Sequence, residues 1–189
     1  MEKKMKKKMK MEMKAEVKMI THNKTLPKIT KEEILKTNED TWGFFFLFLS
    51  RYYEIIDNGY YANIENEFNN SQHTLMAYNI LYGEVTNGGF LELIQDGYGT
   101  YIFDTLFSDI IKSWGISKMA QNINKAKTLY FDNKTYLETK RTPEQYAEMY
   151  KEFPYFNSLD NEFFQIKDSE TEKIKLHILD RIGDFAIIE

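Results

Sequence analysis

The chain has 189 residues, no cysteine, 42% hydrophobic and 29% charged residues, with 14 Phe, 13 Tyr and 2 Trp, enough apolar material for a core without a disulfide or metal staple. The missing sulfur excludes a disulfide-built secreted module, a thiolate nucleophile and any cysteine-liganded zinc, and the aromatic content excludes wholesale disorder. The net charge of −4 divides into +8 over residues 1–31 and −12 over the rest, with 13 acids against only Lys36 and Arg51 between residues 32 and 109; such a body repels nucleic acid and suits a basic partner.

Residues 1–29 read as a basic Lys/Met-rich arm and linker, and residues 30–189 as an acidic all-helical domain. The arm lacks the unbroken apolar run of a signal peptide, and nowhere do 18 apolar residues follow one another, so a cytoplasmic chain without a membrane span is expected. Met5, Met9, Met13, Val17 and Ile20 recur at helical spacing among lysines, the pattern of a basic amphipathic helix able to meet anionic lipid, nucleic acid or the acidic body. Because a run of like charges repels itself, the expected state is a solvated tail. Met13 or Met19 is a candidate for the physiological start, and residues 21–30 read as a linker.

From Thr30 the pattern is helical nearly throughout. Thr30 and Glu33 form a capping box that opens a short helix. Phe45, Phe48, Leu49, Tyr52, Ile55 and Ile56 make one apolar stripe, while Phe44 and Leu47 add a second face, so this helix is expected to be buried on more than one side and to stop at Asn58-Gly59. A helix follows from about Ser71 to Thr86, then a short one from Phe90 to Gln95. Phe103, Leu106, Phe107, Ile110, Ile111 and Trp114 form a stripe ended by Gly115, and Ile116, Met119, Ala120, Ile123, Ala126 and Tyr130 form the next. Pro143 opens the segment carrying Tyr146, Met149 and Tyr150. After Pro154, the period runs through Phe156, Leu159, Phe163 and Ile166; Ser169 and Glu172 read as a second capping box ahead of Ile174, Ile178, Ile182 and Phe185. Ile174, Leu176 and Ile178 also alternate as in a strand, but the cap and later spacing favour helix. The fold class is therefore all-α, a single irregular multi-helix domain with a basic N-terminal arm.

Motifs for catalysis are lacking. Residues 87–99, N-G-G-F-L-E-L-I-Q-D-G-Y-G, miss the Gly-Lys-Ser/Thr ending of a phosphate loop; Gly88 or Gly89, and Gly97 or Gly99, are better explained as left-handed residues at helix ends. His22, His73 and His177 stand apart from any metal-ligand spacing. Glu92 and Asp96, at i and i+4, are near enough to share a proton or a divalent ion, but two ligands are too few for a site. An enzyme and a cofactor are not expected.

The series Asn87-Gly88-Gly89-Phe90, the Gln95-x-Gly97-x-Gly99 turn, Trp114-Gly115 and Leu159-Asp160-x-x-Phe163, with KAKTLYF at 125–131, resembles the DNA mimic protein 19 family over most of residues 30–189. The resemblance implies a mostly helical protein, a possible homodimer, whose surface carboxylates imitate duplex phosphates and occupy the binding face of a helix-turn-helix transcription regulator. The +8 arm departs from that pattern. Acids at i, i+3 or i, i+4 lie about 5 to 6 Å apart, the order of neighbouring phosphates. The expected contacts are Glu54 with Asp57, Glu92 with Asp96, the group Glu32, Glu33, Glu39 and Asp40, and Glu65 with Glu67. An immunity or adaptor protein that neutralises a basic toxin or nuclease is the alternative.

Overall fold

The computed structural model describes residues 26–57 and 67–189. Among them are eight α-helices and one two-stranded parallel sheet, an all-α fold. The chain groups into two units, one ending at His73 and resumed at Arg181–Glu189, the other Thr74–Asp180.

The first unit begins with β1 (Lys28–Ile29), which pairs in parallel with β2 (Ile187–Ile188) in the register Lys28 with Ile187 and Ile29 with Ile188. The sequence reading places residues 28 and 29 in a linker; Ile29 is instead fully buried, and its backbone is satisfied by the C-terminal segment, with Glu189 N–H donating to Ile29 O at 3.0 Å. Helix α1 (Lys31–Lys36) has the expected reciprocal capping box between Thr30 and Glu33. Helix α2 (Thr41–Asp57) is begun by Asp40, whose carboxylate accepts from Gly43 N–H at 2.9 Å. Phe44, Phe45, Phe48, Leu49 and Tyr52 are buried along it, so both expected apolar faces contribute, with Leu47 half-buried. Asn58-Gly59 lies outside the described residues. Tyr52 donates to Phe185 O at 2.8 Å, and Phe48 meets the Phe185 ring at 6.2 Å.

Helix α3 (Asn70–Gln95) opens on a reciprocal box in which Gln72 N–H donates to Asn69 Oδ1 at 2.9 Å and Asn69 N–H to Gln72 Oε1 at 3.0 Å. Its line breaks at Gly88 and Gly89, so the two helices expected there are two arms of one kinked element. In the second unit α4 (Gly99–Phe103) and α5 (Phe107–Ser113) divide the stripe expected to be continuous through Trp114, and Leu106 between them is exposed. Helix α6 (Ser117–Leu137) buries Met119, Ala120, Ile123, Ala126 and Tyr130 as its spacing requires. Helix α7 (Pro143–Glu152) is capped by Thr142 and Gln145.

Helix α8 (Pro154–Asp180) overturns two sequence expectations. Ser169 and Glu172 do not cap it, because the helix runs through them unbroken and Ser169 Oγ donates back to Ile166 O at 3.0 Å. The acid that caps is Glu170, and it caps a different helix: its carboxylate accepts from Lys118 N–H at 3.1 Å and Met119 N–H at 3.2 Å, at the start of α6. The favoured helix through Ile174 and Ile178 holds, with both buried and Leu176 exposed, but it ends at Asp180 and Ile182–Asp184 forms a 3₁₀ turn. An aromatic chain fills the unit: Tyr82 with Phe163, Phe163 with Phe90, Phe90 with Phe103 and Phe103 with Tyr130, at 4.9 to 6.3 Å.

A kinked helix and its carboxylates as the candidate functional site

The kink in α3 is built from sequence pieces far apart in the chain. Gly89 has φ +79° and ψ −175°, a region open essentially to glycine alone, and a Cβ there would lie 2.2 Å from Tyr150 Oη and 2.4 Å from Asp160 Oδ2. Past the kink the Phe90 N–H starts a new helical arm, and Asp160 of α8 accepts it at 2.9 Å. Tyr150 donates to Asp160 at 3.2 Å, and Tyr146 donates to Gly88 O at 2.9 Å, which Tyr150 also approaches. The Asn87-Gly88-Gly89-Phe90 and Leu159-Asp160-x-x-Phe163 pieces therefore form one capping node. Burial pushes the Asp160 carboxyl up to about 6, against the lowering pull of the Phe90 and Tyr150 bonds, and pushes the Tyr146 hydroxyl up to about 12.

The second arm ends in the Gln95-x-Gly97-x-Gly99 turn. Gly97, at φ +90°, is the left-handed residue: its N–H donates to Ile94 O and the Tyr98 N–H to Leu93 O, both at 3.0 Å, the paired bonds of a Schellman end. Gly99 has another role, since a Cβ there would meet the Tyr130 ring at 2.7 Å. Gln95 reaches Leu137 O and Thr139 O, holding this end to the close of α6. Trp114 precedes a second such end at Gly115 and stacks on His177 at 4.3 Å.

Across the kink, residues 84, 88, 92 and 96 form an i, i+4 series in the sequence. Gly88 is the member without a side chain, and a Cβ on it would collide with the Glu92 carboxylate. The space it leaves lets Glu84, Glu92 and Asp96 bring carboxylate oxygens within 4.8 Å of one another. Glu84 is held above the ordinary carboxylate range by its own burial first, then by the charges of Asp96 and Glu92. Glu92 also accepts from Asn87. A pocket of about 420 Å³ adjoins the trio, lined by Glu92, Gln95, Asp96, Lys140, Arg141 and Tyr146. Three crowded carboxylates favour any cation that reaches them, whether a guanidinium, an ammonium or a hard divalent ion. Sequence reading found Glu92 with Asp96 and missed Glu84; the signal was the period-four series interrupted by a glycine.

The other expected contacts lie on the first unit. Glu32 pairs with Lys36 at 2.8 Å and Glu33 with Arg51 at 2.5 Å; the Thr30 bonds, more than Arg51, hold Glu33 below the ordinary range. Asp40 is occupied as a helix cap. Glu39, Glu54, Asp57 and Glu67 are exposed, and Glu65 lies outside the described residues. No helix of the described residues is long and apolar enough to cross a membrane.

Comparison with known proteins places the node and the carboxylate series within one matched region. A family model described as DMP19-like protein covers residues 66–185. Over 118 residues the chain is 32% identical to DNA mimic protein DMP19 of Neisseria meningitidis serogroup B (strain ATCC BAA-335 / MC58), a match spanning 62% of this chain and 72% of that relative. On the strength of both matches, the chain belongs to the DMP19-like protein family.

Proposed function

We propose that this protein is a DNA mimic, which binds the DNA-binding face of a basic partner through carboxylates that take the place of duplex phosphates. The observation that carries the reading is the 32% identity to a protein named as a DNA mimic. The acidic body supports it, as do the carboxylates fixed on helices, because a mimic must hold its charges where the partner's lysines and arginines expect phosphates. The Glu84, Glu92 and Asp96 trio is the strongest single element of that surface. A guanidinium entering the adjoining pocket replaces three-way repulsion with charge-assisted hydrogen bonds. Glu39, Glu54 and Asp57 supply exposed charge on the first unit.

The proposed partner is a helix-turn-helix transcription regulator in the cytoplasm, engaged by a homodimer of this chain. Mimicry of this kind relieves repression without contact to DNA and requires no cofactor or catalytic step. Capture from a native lysate of the source cell, followed by mass spectrometry, tests the assignment. A helix-turn-helix protein retained at low salt and released by duplex DNA is the expected result. Retention of a basic toxin or nuclease would move the protein to the immunity class, and capture that duplex DNA leaves unchanged would end the mimic reading.

A further inference from the structure

The pocket beside the kink has walls of opposite charge that do not neutralise each other. One is acidic, formed by Glu92 and Asp96 with Glu84 in reach of both; the other is basic, formed by Lys140 and Arg141. Among the described residues neither cation forms an ion pair, although opposite charges around a cavity of about 420 Å³ attract one another. Each wall is held by bonds of its own. The Arg141 guanidinium lies over the Tyr136 ring at 4.1 Å, and its Nη2 donates to Tyr136 O at 3.2 Å. Gln95, at the end of α3, donates to Leu137 O and Thr139 O, so the backbone just before Lys140 is tied to the helix that carries the acids. On that helix Glu92 accepts from Asn87 and fills the space a side chain at Gly88 would take. The two charges are therefore fixed apart, an arrangement preorganised for a ligand that bridges them.

We infer that the pocket binds a small molecule with a guanidinium at one end and a carboxylate at the other, an amino acid of the arginine type. The guanidinium meets Glu84, Glu92 and Asp96, and the carboxylate meets Lys140 and Arg141. Charge selects this class. A simple cation suits the acids but leaves Lys140 and Arg141 unpaired and is repelled by them; a simple anion meets the reverse problem at Glu92 and Asp96. A guanidinium offers five N–H donors in a planar fork, which suits three carboxylates whose oxygens lie within 4.8 Å of one another. The Gln95 amide nitrogen is taken by Leu137 O and Thr139 O, which leaves its oxygen for the α-amino group. The Tyr146 hydroxyl is likewise spent on Gly88 O, so its ring is what it offers to the methylene stem. The cavity is of small-molecule size, a class that runs from about 300 to 1,000 Å³.

The inference does not rest on the mimic reading, and its test uses the protein alone, so either can fail without the other. Nuclear magnetic resonance of the isotope-enriched full chain, titrated with L-arginine at low salt, should show saturable shifts at Gln95, Asp96, Lys140 and Arg141 with millimolar or tighter affinity. Agmatine, which lacks the carboxylate, and citrulline, which lacks the charged guanidinium, should each bind about tenfold more weakly. Asp96→Asn and Lys140→Ala should each weaken L-arginine by a similar factor and leave the spectrum away from the pocket unchanged. Agmatine binding as tightly as L-arginine would reduce the pocket to an acidic patch open to any cation and overturn the inference. So would citrulline binding as tightly, variants without effect, shifts centred elsewhere, or no saturable shift.

Discussion

Asp160 and Gly89 show how single side chains fix the kink on which the carboxylate series depends. Asp160 is half-buried, and its raised carboxyl, about 6 against an ordinary 3.8, means that the folded state takes up a proton before the unfolded one. The sign follows from linkage: the charged form is penalised in the fold, so stability is lost as pH rises from about 4 to about 6 and regained on acidification. Chemical denaturation of wild type and Asp160→Asn across pH 4 to 7 isolates this contribution, because the amide still accepts from Phe90 N–H yet does not titrate. The difference between the two should change through about pH 6. Gly89→Ala combines an unfavourable φ with a collision against Tyr150 and Asp160, and a loss of roughly 2 to 4 kcal/mol in urea denaturation is expected.

At the scale of elements, the capping chemistry was partly legible in the sequence and partly not. Thr30 with Glu33 was readable because both partners sit three residues apart. Glu170 was not, because it satisfies the start of α6 from 52 residues away, and the nearby Ser169 and Glu172 imitate a local cap that an unbroken helix has no use for. For the same reason the Asn87-Gly88-Gly89-Phe90 and Leu159-Asp160 pieces were visible as family features while their meeting across 70 residues was not. Glu170→Ala removes a buried acceptor from two backbone N–H groups and should cost about 2 kcal/mol; Glu170→Gln, which keeps an acceptor, should cost less in the same denaturation assay. Glu84→Gln relieves the crowding of three carboxylates. Its unfolding free energy at pH 7 should rise by less than about 1 kcal/mol, with the gain shrinking at high salt, while affinity for the partner falls. A gain in stability with a loss of binding is the signature of a charge kept for recognition rather than for folding.

For the whole molecule, helical periodicity is enough for the all-α class, while the surplus of acids argues against a nucleic-acid partner without naming one. The parallel pairing of β1 with β2 was beyond periodicity, since two-residue strands carry too few side chains to show a pattern. That pairing sets where the arm is safely removed. Deleting residues 1–25 leaves Lys28 and Ile29 in place and removes nine lysines against three glutamates, so affinity for a basic partner at low salt should increase; equal affinity would make the arm a bystander. The most direct test of mimicry is competition at one face. With a fluorescent operator duplex bound to the captured regulator, added protein should displace the duplex at equal molar sites, and its own affinity should fall steeply between about 50 and 200 mM salt. A ternary complex that retains the duplex, or an affinity indifferent to salt, would contradict the account.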